Sequence, residues 1–417
     1  MVARCLLVLA CGFAALSSST AAALGLEEER ITVFSGLVAL LLFVPYLRRP
    51  SLEQPGGVVM CLLLLLPLIA AHDALSGPLD PVDYKVALPV LVLAVAPGLA
   101  REIGRERVVP LAWWLLAVYV GGTFAYRLLA EPAAVARGYA NIVRYDPTGS
   151  VVMHASLSVI CLLMALAKAA AATRAGERAI ALALGALALV MVLQSATRTV
   201  VATLALFACL TAATARDKGA ALGRLAGAGL GLGLVFLAYS VAWEPSFLLR
   251  LTSAAEDGDY GSGRLPSVAF WLGLAGERPF GLGFGAVREL LADGKPWLDG
   301  ASTLEWPHNE FVRFYVEAGP LGLGFALLLV GALVRTALRA AARDPGDPVR
   351  RALVLAIAAD IVAESCLQNL FNAVHHATVL VVFLAVAAEG GRWDAGRPPA
   401  LAPATNRPGQ VPVSVTT

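Results

Sequence analysis

Twelve apolar stretches, most of them long enough to cross a lipid bilayer, dominate this chain. A membrane-spanning helix needs about 20 consecutive, mostly apolar residues. The apolar stretches lie near residues 5–24, 31–47, 57–75, 84–100, 108–130, 149–171, 178–194, 199–215, 224–243, 317–339, 352–372 and 374–391. Only 15% of the 417 residues are charged, whereas a soluble domain carries about a quarter. We therefore predict an all-α polytopic membrane protein with about 12 transmembrane helices.

The positive charges of the short loops predict the orientation, because loops rich in lysine and arginine remain in the cytoplasm. One set of alternate loops is strongly basic, and the other set contains only isolated positive charges. The basic set contains Arg48, Arg49, Arg101, Arg105, Arg107, Arg174, Arg178, Arg216, Lys218, Arg224, Arg335, Arg339, Arg343, Arg350 and Arg351. Both termini are then predicted to be cytoplasmic, and the long loop at 244–316 is predicted to be external.

This orientation divides the chain into four parts. Residues 1–243 would form nine membrane helices, residues 244–316 the external loop, and residues 317–391 the last three helices. Residues 392–417 are rich in proline, glycine and alanine, which predicts a disordered cytoplasmic tail. Residues 1–23 also fit a cleavable signal peptide, which would leave eleven spans with the loop on the same side.

Overall charge and cysteine placement argue against a polyanion-binding surface and against cysteines as disulfides or metal ligands. The net charge of +2 argues against a broad surface for nucleic acid or another polyanion. All six cysteines lie in apolar stretches without a pairing pattern, so they are interpreted as small hydrophobic residues.

The external loop combines a regular local pattern with an acidic balance. Residues 244–318 contain six basic and eleven acidic side chains, so individually placed arginines would have to bind any phosphate. Apolar patterning predicts short helices at Leu265–Ala275 and Phe284–Ala292. His308–Ala318 is predicted to begin the tenth span or to lead into it.

Three residues of the outer side are candidates for chemistry. Arg264 follows a Gly-Ser-Gly turn and precedes a predicted helix, where backbone N–H groups also favour anions. Arg198 lies in a polar break between two apolar stretches, against the inside-positive trend. His308 has a pKa range suited to proton transfer near neutrality. The structural alternatives are a solvated arginine, an arginine that snorkels to the interface, and a packing histidine. No second ligand at metal-binding spacing lies near His308, so no metal site is predicted there.

The eleventh span carries a polar stripe, in which Asp360, Glu364, Gln368 and Asn372 recur every four residues. This spacing places them on one helix face. They would form either a proton or ion path or a structural brace, and the brace is the preferred interpretation. The same interpretation applies to other polar residues of the spans, namely His154, Lys168, His375 and His376.

Together the loop motifs resemble the O-antigen ligase and O-antigen polymerase superfamily. The resemblance covers roughly residues 190–325, and the arrangement of spans agrees over most of the chain. It is carried by Ser195-x-x-Arg198, Gly263-Arg264, Trp271, Pro279, Gly281-x-Gly283, His308-Asn309 and Glu317-x-Gly319-Pro320-x-Gly322.

The resemblance implies a fold similar to the GT-C membrane glycosyltransferases of the bacterial inner membrane. It implies a glycan donor linked to undecaprenyl pyrophosphate and, in the ligase branch, a lipid A core acceptor, without cofactor or metal. Arg198 and Arg264 would hold the pyrophosphate and His308 would act at the acceptor hydroxyl. Arg288, Arg313 and Asn309 are further helper candidates, and no motif of the family matches Arg288 or Arg313.

Four alternatives remain open at this stage, and one of them is a non-enzymatic scaffold for envelope assembly. Polymerases and protein O-oligosaccharyltransferases of the same superfamily share the His-Asn element, and the single dominant external loop favours the ligase. An ion-coupled transporter would use the Asp360 stripe as its ion path, although the chain lacks the internal repeat common among transporters.

Overall fold

The computed structural model is predominantly helical. It describes residues 57–76, 84, 86–130, 135–137, 143–145, 151–242, 264–292 and 306–390. Its α-helices are α1 (Gly57–Ser76), α2 (Ala87–Ile103), α3 (Val108–Ala130), α4 (Val151–Ala171), α5 (Ala175–Ser195), α6 (Thr199–Thr214), α7 (Lys218–Ala242), α8 (Arg264–Gly276), α9 (Ala286–Ala292), α10 (Glu310–Arg343), α11 (Pro348–Leu367) and α12 (Val374–Glu389). A 3-10 turn at Arg105–Arg107 precedes α3. Strands β1 (Val135–Arg137) and β2 (Val143–Tyr145) pair antiparallel between α3 and α4.

The described helices match ten of the predicted apolar stretches. Within the described part of the chain, five helices are long and apolar enough to cross a membrane. Large apolar side chains also face outward, among them Trp114 at 63% exposure and Val118 at 69%, as lipid-facing residues do. The protein is therefore a helical membrane protein. The first two predicted spans and the C-terminal tail lie outside the described residues.

Helix α11 lies at the centre of the bundle. It packs against α4, α6, α10 and α12, and 15 of its 20 residues are buried. Alanines at Ala356, Ala358 and Ala359 let the neighbouring helices approach closely. The central helix also carries two buried carboxylates, Asp360 and Glu364, which must be satisfied within the protein.

The polar stripe of the eleventh span is shorter than the sequence suggests. Helix α11 ends at Leu367, and Gln368 has an extended backbone with φ −145° and ψ −172°. A six-residue segment then precedes α12, whereas the predicted spans 352–372 and 374–391 leave a single residue between them, so that prediction was wrong. Gln368 and Asn372 therefore do not continue the helix face of Asp360 and Glu364. We call residues Cys366–Asn372 the outer connector.

Candidate functional site at one end of the bundle

Helix α10 is broken about two turns after its first residue, Glu310, and the break determines how the glycine motifs pack. Ala318 and Gly319 have non-helical backbones, with Gly319 at φ 59°. Pro320 has no N–H to donate to the carbonyl of Val316. The backbone N–H of Leu282 donates to that carbonyl instead, at 2.9 Å. The break thus exposes an acceptor that the backbone of Leu282 satisfies.

The two glycine motifs predicted from the sequence are in direct contact through this break. Gly283 N–H donates to the carbonyl of Glu317 at 2.9 Å. Gly281 has φ 88°, and a Cβ at this position would lie 2.4 Å from the same oxygen. A Cβ at Gly319 would lie 2.5 Å from the carbonyl oxygen of Pro279. Only glycine permits these backbones to approach so closely, so both motifs serve the docking of the loop.

The docked loop is also fixed to the first described helix. Asp73, near the end of α1, accepts a hydrogen bond from the backbone N–H of Phe284 at 3.1 Å. Its other oxygen accepts from the Tyr84 hydroxyl at 2.6 Å. Trp271 is fully buried and packs with Val287 in a small core beneath the loop. Residues 264–292 are therefore packed against the bundle. They contain two short helices, as the sequence predicts.

Asn309 begins α10 and connects it to the outer connector. Its Oδ1 accepts from the Val312 N–H at 3.0 Å, which caps the helix. Its Nδ2 donates to the carbonyl of Cys366 at 3.0 Å. The neighbouring Glu310, fully buried, accepts from the backbone N–H groups of Phe371 and Asn372 at 2.5 and 3.3 Å. The segment after His308 is thus held to the connector at two points.

Arg313, predicted as a helper, lies inside this attachment. Its Nε donates to Glu310 at 2.7 Å and its Nη1 donates to Glu317 at 3.0 Å. All three residues are at most 5% exposed. Two carboxylates already balance the charge of the guanidinium group. These ion pairs give Arg313 a structural role in α10.

His308 and Ala196 share an unusual backbone conformation. They are the two non-glycine residues with positive φ in the described part of the chain, at 45° and 47°. For residues other than glycine this conformation costs about 1–2 kcal/mol, and such strain concentrates at functional sites. Ala196 ends α5 two residues before Arg198. The strained positions therefore fall at two of the segments selected from the sequence.

Arg198 begins α6 and is partly exposed. The next residue, Thr199, accepts a hydrogen bond from the Gln368 side chain at 3.1 Å. Gln368 belongs to the outer connector, which also binds Asn309. The connector therefore joins the segment of Arg198 to the segment of His308.

Arg264 is the first residue of α8, in agreement with the helix predicted to follow it. Ser267, one turn further, donates to the carbonyl of Trp306 at 3.3 Å. Trp306 precedes His308 by two residues, so the first turn of α8 contacts the segment that leads into His308. Arg288 lies on the short helix α9 and is partly exposed.

A second polar cluster lies beneath the connector, inside the bundle. Asp360 accepts hydrogen bonds from Ser156 and from Thr203, the latter at 2.9 Å. Glu364 contacts Nε2 of His376 at 3.0 Å. Asp360, Glu364 and His376 are buried and present ligand atoms within 4.8 Å of one another, so this donor set has the composition of a metal site. These interactions tie α11 to α4, α6 and α12.

Sequence reasoning identified Asn309 but missed other residues that assemble the site. Asp73 and the hydroxyls of Ser156 and Thr203 gave no local signal, because their partners are distant in the chain. Gln368 and Asn372 of the outer connector were assigned to a helix face instead. The predicted spacing of Asp360 and Glu364 was the one available indication of the buried cluster. His154, another buried candidate, contacts the Tyr119 hydroxyl through Nδ1 at 3.0 Å, and Lys168 lies 5.4 Å from the ring centroid of Trp113.

Comparison with known proteins adds no assignment to this geometry. No model of a protein family matches the chain. No curated protein matches it significantly either.

Proposed function

We propose that this protein is a membrane glycosyltransferase of the O-antigen ligase type. It transfers a glycan from undecaprenyl pyrophosphate to a sugar hydroxyl of the lipid A core. The proposal includes about 12 spans, a GT-C-like fold, cytoplasmic termini and a periplasmic site in the bacterial inner membrane. The observation that supports it most is the set of contacts by which the segments of Arg198, Arg264 and His308 meet at one end of the bundle.

The proposed reaction is a direct displacement. The acceptor oxygen forms a bond to the anomeric carbon as the bond from that carbon to the pyrophosphate oxygen breaks, which inverts the configuration. Arg198 and Arg264 stabilise the charge that grows on the leaving pyrophosphate, and each contact contributes about 2–4 kcal/mol. His308 accepts the hydroxyl proton, which accelerates the reaction roughly 10²–10⁴-fold.

This mechanism assigns no step to a divalent metal or a nucleotide. The membrane holds the lipid carrier and the external loop holds the acceptor, so both reactants are positioned before the bond forms. The positive-φ backbone of His308 supports the proposal, because strained backbone concentrates at functional sites.

A transfer assay with purified protein, lipid-linked donor and core acceptor tests the proposal by gel shift. Arg264→Ala, Arg198→Ala and His308→Ala should each lower transfer at least 100-fold. Arg278→Ala is the matched control, because Arg278 is exposed in the same loop region and has no assigned role. Full activity of the Arg264 variant, or a strict requirement for Mg²⁺, would contradict the mechanism.

The lipopolysaccharide of a deletion strain separates the branches of the superfamily. A ligase predicts loss of the capped ladder together with accumulation of lipid-linked glycan. A single repeat attached to the core would indicate a polymerase instead. Loss of glycan from proteins with an intact ladder would indicate a protein O-oligosaccharyltransferase.

An ion-coupled transporter is the second candidate, and the buried Asp360–Glu364–His376 cluster favours it. Ionisable groups inside a membrane often mark ion or proton paths. Uptake in proteoliposomes that is abolished by Asp360→Asn and unaffected by His308→Ala would support this function. The ligase proposal predicts that, in the transfer assay, His308→Ala lowers activity more than Asp360→Asn does.

A further inference from the structure

A basic cavity lies at the end of the bundle opposite the candidate site. It has a volume of about 660 Å³ and lies between the end of α6, the start of α7 and the turn before α11. Helix α6 begins beside Arg198 and reaches the cavity through Thr211 and Ala215. Since a helix rises 1.5 Å per residue, the two sites are separated by roughly 20 Å.

Three arginines line the cavity: Arg216, Arg224 and Arg351. None of them forms an ion pair in the described part of the chain. The cavity also contains Asp217, whose Oδ1 accepts from the Ala220 N–H at 2.9 Å and is thereby engaged in capping α7. Three guanidinium groups thus face one carboxylate, and the cavity carries an excess of positive charge.

Arg351 is partly pre-positioned for an additional acceptor. Its Nη2 donates to the Thr211 carbonyl at 3.1 Å and to the Thr214 hydroxyl at 2.8 Å. Its Nε is buried and has no hydrogen-bond partner among the described residues, and neither has the Thr211 hydroxyl. Arg351 and Thr211 both line the same cavity, and a buried donor without an acceptor is costly.

An apolar groove continues from this cavity along the membrane. It has a volume of about 470 Å³ and is lined by α4, α5, α6 and α7. Leu225 and Ala228 line both the cavity and the groove. The most apolar part of α7 contains no buried residue, so this helix stands off from the bundle and leaves the groove open.

We propose that the cavity and groove together bind one anionic phospholipid. The phosphodiester would lie among the three arginines, where guanidinium groups form paired hydrogen bonds to phosphate oxygens. One acyl chain would lie in the groove between α7 and its neighbours. Basic pockets between membrane helices are a recurrent site for acidic headgroups, and the two shared residues connect the headgroup to the chain.

Native mass spectrometry of the full chain in detergent, titrated with phosphatidylglycerol and with phosphatidylcholine of the same acyl chains, tests the headgroup. The protein should retain phosphatidylglycerol preferentially, and each arginine changed to glutamine should weaken retention about fivefold. Arg335→Gln and Arg339→Gln are matched controls, because these exposed arginines lie on α10 outside the cavity. Equal retention of the two lipids would overturn the proposal.

Glycines of α7 test the acyl chain separately. Gly229 and Gly233 line the groove, and a Cβ at either position meets open space. Gly229→Leu and Gly233→Leu should therefore fold, fill the groove and lower phosphatidylglycerol retention at least tenfold. Gly231→Leu is the control, because Gly231 also has open space and does not line the groove. Unchanged retention of phosphatidylglycerol by Gly229→Leu and Gly233→Leu would overturn the proposal that an acyl chain lies in the groove.

Competitors distinguish the remaining occupants. Displacement of phosphatidylglycerol by millimolar inorganic phosphate would indicate a site for a soluble anion. Preferential retention of undecaprenyl phosphate would indicate the carrier lipid. The wild-type protein could retain no lipid while the groove variants lose stability. That result would indicate that another part of this chain fills the groove. Each of these three results would overturn the phospholipid assignment.

Discussion

The side chain of Asn309 donates to the carbonyl of Cys366 at 3.0 Å across 57 residues of sequence. The same side chain caps α10 through Val312. One amide therefore fixes both the start of the helix and its distance from the outer connector. His308 immediately precedes it, so the direction of the imidazole depends on this pair.

Asn309→Ala should reduce stability and transfer together. Loss of the cap costs about 1 kcal/mol, and loss of the bond to Cys366 releases the backbone of His308. We expect at least a tenfold fall in transfer, measured with thermal unfolding on the same sample. Asp347→Ala is the matched control, because Asp347 caps α11 through Arg350 at 2.9 Å far from His308. An equal loss of activity in the control would mean that stability alone explains the effect.

Gly281→Ala should separate the loop from the break in α10. Its Cβ would lie 2.4 Å from the Glu317 carbonyl oxygen, at a backbone φ of 88°. We expect a lower thermal unfolding midpoint and faster proteolysis of residues 264–292. Gly273→Ala supplies the contrast, because nothing lies within 4 Å of its Cβ and alanine favours a helix by up to about 1 kcal/mol. Indistinguishable unfolding of the two variants would refute the docking described here.

Ser156 and Ser158 provide a matched pair within one helix. Ser156 donates to Asp360, whereas the Ser158 hydroxyl is buried without a hydrogen-bond partner in the described part of the chain. Ser156→Ala should therefore destabilise the protein by about 1–3 kcal/mol, and Ser158→Ala should be neutral or slightly stabilising. Thermal unfolding in detergent measures both, and the reverse order would show that Asp360 does not depend on Ser156.

Arg313→Met tests whether this arginine stabilises α10 or binds substrate. Removal of the guanidinium leaves Glu310 and Glu317 buried without a counter-charge, which costs about 3–5 kcal/mol. We expect low yield and a strongly reduced unfolding midpoint. Arg335→Met should leave stability nearly unchanged, because Arg335 is exposed on the same helix. An Arg313 variant that is stable but no longer binds the donor would instead assign Arg313 to the donor site.

The sequence located the motifs of the candidate site but not their contacts. Gly281-x-Gly283 and Glu317-x-Gly319-Pro320 were recognisable as motifs that carry the family resemblance. Their pairing was not predictable, because it depends on a carbonyl exposed by a proline in another segment. The connection of Arg198 to His308 likewise runs through Gln368, which the four-residue spacing wrongly assigned to a helix face.

The sequence by itself determined the helices and their membrane character, since apolar stretches and the periodicity of a helix are local properties. It also determined that Asp360 and Glu364 lie one turn apart. Only the tertiary structure decided which groups satisfy them, because Ser156 and Thr203 lie 204 and 157 residues away. Buried polar atoms must find partners wherever the packing of helices brings them, and that packing is set by the whole bundle rather than by any one stretch.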